Sequence, residues 1–329
     1  MRQLDKSIKE GRYAHSYLLV GPPQVGKGTL AINMAQAVNC LSPEQAPCGQ
    51  CSQCRRIAST QHADVLVIGV GRGEDDGPSR KEIGIGDVRE IERQASLNPY
   101  EGSHRVFIFD GAERMSEEAA NALLKTLEEP PPQVMIILLT SQEGALLPTI
   151  LSRCRRLELK PLPFSEIAKE LVETHSMDRE DAEMLARLSL GCPGWAISAA
   201  GDPSIMEKRK EELERISELS VSGLEERFSY ASDLGSLFYK DRDGARDILR
   251  LWLRWWRDLL LIKEGAEEYI HNVDWSDVLR LRAAELSTAQ VVAFIKVILT
   301  TLEALDHNAN ARLALEVMAL SLPGERTGG

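Results

Sequence analysis

Gly21-Pro22-Pro23-Gln24-Val25-Gly26-Lys27-Gly28 follows a short apolar run, Ser16–Val20, and leads into a helical pattern. The stretch fits G-x-x-x-x-G-K, with Gly28 where a Ser or Thr normally closes the motif. Backbone N–H groups of such a loop cradle phosphates at a helix N-terminus, and Lys27 would reach the outer phosphates. The missing hydroxyl matters because it normally ligates Mg²⁺. Thr29 stands one residue later, about 100° round the helix, and is a poor substitute. A glycine turn that merely joins strand to helix looks similar, so descent from a phosphate loop does not by itself secure ATP or ADP binding.

From this loop outward, the first 160 residues alternate short β-rich runs with helical patterns, the sign of an α/β domain with a parallel sheet. Strands are predicted at Ser16–Val20, Val65–Gly69, Arg105–Asp110, Val134–Thr140 and Arg156–Leu159. Several are continuous apolar runs, as expected where helices cover both faces. A helix after the third strand has Ser116 as its cap, Glu117 and Glu118 in its first turn, and Pro130-Pro131-Pro132 at its end. Ala119, Ala120, Leu123, Leu124 and Leu127 form its apolar face, and Gly71–Gly86 is predicted to be a loop.

The run Arg105–Asp110 ends in an aspartate, the Walker B pattern, which would place Asp110 near a metal; a turn or helix cap is the plainer role. Active ATPases of this kind carry Glu next, to orient the attacking water. Here the position is Gly111, and Glu113 follows two residues later.

Cys40, Cys48, Cys51 and Cys54 have the spacing C-x7-C-x2-C-x2-C. Four thiolates complete a tetrahedral Zn²⁺ shell, and nothing nearby leaves an open catalytic position, so the expected role is structural. An iron–sulfur cluster takes the same ligands, and unligated core cysteines are a further possibility. Cys154 and Cys192 are expected to be small buried residues.

A phosphate loop followed by a four-cysteine insertion resembles the bacterial clamp-loader family, which includes the gamma/tau and delta-prime subunits of DNA polymerase III. Glu117 to Pro131, with Asn121-Ala122-Leu123-Leu124-Lys125-Thr126-Leu127-Glu128-Glu129-Pro130, is similar to that family's stretch after Walker B. So is Leu147 to Cys154, which holds its Ser152-Arg153-Cys154 motif. Ile85-Gly86-Asp87-Val88-Arg89 and Asn308 to Leu315 match as well.

The resemblance implies an AAA+ module over 1–160 with the zinc insertion at 40–54, a small helical lid over 161–203, and an all-α collar over 204–329 that oligomerises. It further implies a hetero-pentamer with gamma/tau and delta subunits that loads a sliding clamp onto primed DNA. Arg153 would then be an arginine finger in a neighbour's ATP site, the alternative being a surface arginine or salt-bridge partner. Gly28, Gly111 and Gly194, at positions where gamma/tau would carry Ser or Thr, Glu and Arg, point to the delta-prime branch and to a degenerate site of its own. A gamma-type ATPase with a divergent site is the runner-up.

The remaining chemistry is plainer. Thr140 and Ser141 end the fourth strand, where a γ-phosphate sensor or a strand-end cap would sit. Trp252, Trp255 and Trp256, with Leu251, Leu259 and Leu260, read as a packed helix face rather than a base-stacking platform. His15 could lie near an adenine, but a structural role suits it better. Net charge is −11 over 329 residues, which argues against a free-standing duplex-DNA binder and against a zinc-containing nucleic-acid regulator. No apolar run is expected to approach the roughly 20 residues that span a bilayer. Met1–Gly11 lacks the apolar centre of a signal peptide, so the expected location is cytoplasmic, with no membrane partner.

Overall fold

A computed structural model describes residues 13–70, 82–307 and 309–323. Met1–Gly11, most of the expected Gly71–Gly86 loop and Asn308 of the C-terminal match lie outside the described residues. The chain divides into two compact units, Met1–Pro163 with Gly191–Trp195, and Phe164–Leu190 with Ala196–Gly329.

The first unit is built on a parallel five-stranded sheet in the order β2-β3-β4-β1-β5. Its strands are β1 (Ser16–Val20), β2 (Val65–Gly69), β3 (Arg105–Asp110), β4 (Val134–Thr140) and β5 (Arg155–Glu158). Four match the expected bounds and the fifth begins and ends one residue early. The helices are α1 (Lys27–Asn39), α2 (Ser52–Ala58), α3 (Ile85–Ala95), α4 (Glu117–Glu128) and the short α5 (Pro148–Leu151). Ile85 and Gly86, assigned to a loop from sequence, belong to the first turn of α3; Gly84 caps it, and the Gly84 N–H donates to the Asp87 carboxylate at 3.0 Å.

Alternation along the strands sorts the side chains onto two covered faces. Leu18, Phe107, Phe109, Ile136 and Leu138 meet α3 and α4 through Val88, Ile91, Leu123 and Leu127. Tyr17, Leu19, Ile108, Ile137 and Leu139 meet α1 and α2 through Leu30, Ala31, Met34 and Ile57. Burial on both faces explains why β4, Val134–Thr140, is apolar at nearly every position and wholly buried.

The second unit is helical: α6 (Phe164–His175), α7 (Arg179–Leu188), α8 (Pro193–Gly201, whose first residues belong to the first unit), α9 (Ser204–Leu219), α10 (Leu224–Lys240), α11 (Arg242–Lys263), α12 (Ser276–Glu285), α13 (Thr288–Asp306) and α14 (Ala311–Leu320). Trp252, Trp255 and Trp256 of α11 are buried in its core; Trp256 lies 4.5 Å, centroid to centroid, from Phe294 of α13, and the Trp252 indole donates to the Tyr230 hydroxyl at 2.8 Å. Contrary to the sequence expectation, α13 is long and apolar enough, by composition alone, to cross a membrane. Lys296 and Glu303 disguise the run. Val291, Phe294, Ile298, Thr301 and Leu305 recur every three or four residues on its buried face, the pattern of a core helix.

Candidate functional site

The register of the sheet gathers the loop and the Walker B aspartate on one edge. Val20 pairs with Thr140 and Asp110 with Leu139, so the C-terminal ends of β1, β3 and β4 lie side by side. Ligands of open parallel sheets bind outside this edge. The Gly21 N–H donates to the Thr140 carbonyl at 3.2 Å, which fixes where the loop leaves the sheet. The loop turns through left-handed backbone at Gln24 (φ 59°) and Gly26 (φ 104°), and α1 starts at once with Leu30 N–H on the Gly26 carbonyl.

Lys27 is almost fully buried and folded onto its own loop. Its ammonium donates to the Gly21 carbonyl at 2.7 Å and the Pro22 carbonyl at 2.8 Å. Burial lowers its pKa, while the nearby charges of Glu113 and Asp110 pull it back up. Gly28 and Thr29 are exposed on the first turn of α1, and a Cβ at Gly28 would meet nothing within 4 Å. Nothing steric therefore excludes a hydroxyl side chain at 28. Gly111 is different: it holds φ 80°, which disfavours the glutamate that would orient water.

Sequence reasoning noted Glu113 but gave it no role. It lies in the turn after β3, where one carboxylate oxygen accepts from the Ser141 hydroxyl at 2.9 Å. The other oxygen is buried without a partner among the described residues. The Thr140 hydroxyl accepts from the Gln142 N–H at 3.0 Å and so caps the strand end. His15 bonds the Leu127 carbonyl at the end of α4, a structural contact.

The turn Gly191-Cys192-Pro193-Gly194 also touches the loop. The Gly194 N–H donates to the Gln24 carbonyl at 2.9 Å, and a Cβ there would lie 2.7 Å from that oxygen. No side chain fits at 194 while this contact stands. Gly194→Ala is expected to lower stability by about 1–3 kcal/mol through overpacking, read as a lower urea midpoint with unchanged m-value.

The four cysteines of the insertion come together. Their sulfurs all lie within 4.8 Å of one another, near the ~3.8 Å edge of a tetrahedron with ~2.3 Å metal–sulfur bonds. Ser42, Cys51 and Cys54 N–H groups point at the sulfurs of Cys40, Cys48 and Cys51 at 3.3–3.4 Å, a donor set that favours thiolates. Against the upward push of burial, the N–H groups of Cys54 and Leu41 hold the Cys51 thiol at about 6, whereas burial pushes Cys54 up to about 12. As thiolates, four sulfurs this close would need a cation between them, and the cluster could hold one metal ion.

A buried polar network, invisible in the sequence, ties this module to the sheet. Gln36 of α1 donates to the Cys54 carbonyl at 2.8 Å; Gln53 of α2 bonds His62 at 2.5 Å and the Glu101 carbonyl at 2.8 Å. Asp64 is fully buried and accepts the N–H groups of Tyr100, Glu101 and Gly102, each at 2.8 Å. Against the upward push of burial these donors lower its pKa.

Arg153 stands apart from the loop. Its carbonyl accepts from the Ser16 hydroxyl at 2.7 Å, at the start of β1. The loop begins at Gly21, beyond the far end of that strand, about 15 Å away at a strand's rise per residue. Its guanidinium is one-third exposed and donates to the Thr149 carbonyl at 3.0 Å and to Glu128 at 2.5 Å. Gly21, Gly26, Lys27 and Asp110 thus share one edge of the sheet, and Arg153 occupies the other.

The family model described as "DNA polymerase III, delta subunit" matches residues 1–163, and that described as "DNA polymerase III, delta subunit, C terminal" matches 207–323. The delta' subunit of DNA polymerase III from Pseudomonas aeruginosa is 31% identical over 95% of this chain and 94% of its own length. That of Bacillus subtilis is 28% identical over 98% and 94%. The tau subunit of B. subtilis is 26% identical over 98% of this chain and 59% of its own length.

Proposed function

Because the chain belongs to the delta' family of DNA polymerase III subunits, we propose that it works in a cytoplasmic clamp loader as the subunit that contributes Arg153 to a neighbour's ATP site. It would assemble with gamma/tau and delta subunits, as a hetero-pentamer, to load the sliding clamp onto primed DNA. The observation that carries this reading is the position of Arg153, at the sheet edge opposite its own phosphate loop and out of reach of a nucleotide held there.

The chain's own loop supports the same division of labour. Gly28 supplies no Mg²⁺ ligand and Gly111 no water-orienting carboxylate, while Lys27 already takes two carbonyls of its loop. The ion in the four-cysteine module is taken to be Zn²⁺, held by Cys40, Cys48, Cys51 and Cys54 as a cross-link that supplies no catalysis.

The purified chain, free of gamma/tau, is expected to release phosphate from Mg-ATP at the background rate. Gly28→Thr restores a hydroxyl where the fold leaves room, but turnover should stay at background because Gly111 is unchanged. Robust Mg²⁺-dependent turnover by the wild-type chain alone would instead mark it as a gamma-type ATPase, with Glu113 beside Ser141 as its carboxylate.

A further inference from the structure

In the second unit, Arg250, Arg254 and Arg257 recur on α11 at spacings of four and three, which places them on one face of the helix. Arg209 of α9 closes the group. Its guanidinium donates to Asp274 at 2.6 Å and to the Asn272 side chain at 2.6 Å. Asn272 in turn donates its N–H and its amide to Asp258, each at 2.8 Å.

The carboxylates in this cluster are already committed. Asp247 takes Arg250 at 2.8 Å, and Asp274 takes Arg209. Asp258 is fully buried and takes the N–H groups of His271 and Asn272 as well as Arg257 at 3.3 Å. Four guanidinium groups therefore meet three carboxylates, a local positive excess in a chain of net charge −11. Burial, then Arg257, lowers the pKa of His271, which therefore adds no further charge near neutral pH.

Arg254 is the member left over. It is half-buried, and its guanidinium makes no hydrogen bond or ion pair among the described residues, although its nitrogens stay within reach of solvent. Burial, then the charge of Arg209, pulls its pKa below the usual arginine range, and Asp247 and Asp258 only partly offset this. Its five donors are set in a planar fork, and one guanidinium end of Arg250 is also unpaired among the described residues. Two adjacent forks match the three or four oxygens of a phosphate better than the two of a carboxylate.

We propose that Arg254, with Arg250, Arg209 and Arg257 around it, forms an oxyanion site that accepts a phosphate group. The phosphate is either a free ion or part of a DNA backbone. The proposal stands apart from the role given to Arg153, and its test does not involve ATP turnover.

The experiment is thermal melting of the full chain in sodium phosphate against sodium chloride at matched pH and ionic strength. Phosphate should raise the melting temperature of the wild type. Arg254→Gln should lose that increment and weaken inorganic phosphate by about tenfold or more, as loss of a charge-assisted pair implies. Arg312→Gln, which removes the same charge from an exposed position on α14, should keep it. In chloride, Arg254→Gln should melt no lower than the wild type, since it removes like-charge repulsion. A fluorescein-labelled single-stranded oligonucleotide separates the sources. Weaker binding to Arg254→Gln identifies a DNA phosphate; unchanged binding with the increment lost identifies a free one. The proposal is overturned if phosphate gives the wild type no increment, or if the increment survives in Arg254→Gln. Loss of the increment in Lys27→Ala instead would place the anion in the phosphate loop, and a large drop in melting of Arg254→Gln in chloride would make Arg254 a structural residue; either result also overturns it.

Discussion

Cys51→Ser is expected to strip the metal from residues 40–54 and unfold that module, while the five-stranded sheet stays folded. Structural zinc contributes roughly 10–16 kcal/mol of apparent binding free energy in small peptides, so one lost ligand removes most of what orders the segment. What remains is polar: the Gln36–Cys54 and Gln53–His62 contacts hold the module to its neighbours but bury little apolar surface of their own. Ile57 is the exception, packed beneath α1, and should keep the C-terminal turn of α2 in place. Metal analysis should fall from one zinc per chain to near none, and hydrogen exchange should accelerate across 40–54 but not in β3 or β4. Thiolates are the ligands, so protons compete with the ion, and the wild type should release its metal as pH falls. A wild-type chain that carries no metal, or one that carries iron and sulfide, would contradict the assignment.

The strands were legible because β1, β3 and β4 lie inside a parallel sheet covered on both faces, where nearly every position must be apolar. The phosphate loop and the cysteine spacing were legible for a different reason: each is a short local pattern fixed by the chemistry it serves. Errors came where the local signal was weak or interrupted. Glycines before α3 extended a loop into its first turn, and two charged residues broke up the apolar run of α13.

What no pattern could reveal is how distant segments meet. Gly194 has no meaning in sequence beyond an absent arginine; in the fold its missing side chain lets the turn close on Gln24. Asp64 looks like any acidic residue before a strand, yet it collects three backbone N–H groups from a loop more than 30 residues away. The position of Arg153 follows from the sheet order, which sets β5 against β1 and so anchors the preceding residues at the start of β1.

That position makes Arg153→Ala the substitution with the largest expected effect on a reconstituted loader. Phosphoryl transfer spreads negative charge over the γ-phosphate oxygens, and a planar guanidinium can pair with two of them at once. Loss of an arginine finger costs about 10³–10⁵ in rate at the site it serves. One finger would serve one site of several, so total clamp-stimulated hydrolysis should fall less steeply than that, and clamp loading should fall with it. The fold of the variant should survive. Arg153 makes its contacts at the surface, to the Thr149 carbonyl and to Glu128, and an exposed ion pair of this kind is worth about 0–1 kcal/mol. The same weakness leaves the guanidinium free to exchange Glu128 for a phosphate. Arg153→Lys should rescue poorly, because an ammonium keeps the charge and loses the fork. Glu128→Gln is the companion variant: it releases the side chain without touching the finger, so loading should hold or rise. The measurement compares ATP turnover and clamp loading onto primed DNA in complexes shown by size and zinc content to be correctly assembled. If such a complex carrying Arg153→Ala loads clamps at the wild-type rate, Arg153 is a surface arginine held by Glu128, and the neighbour's site draws its positive charge from elsewhere.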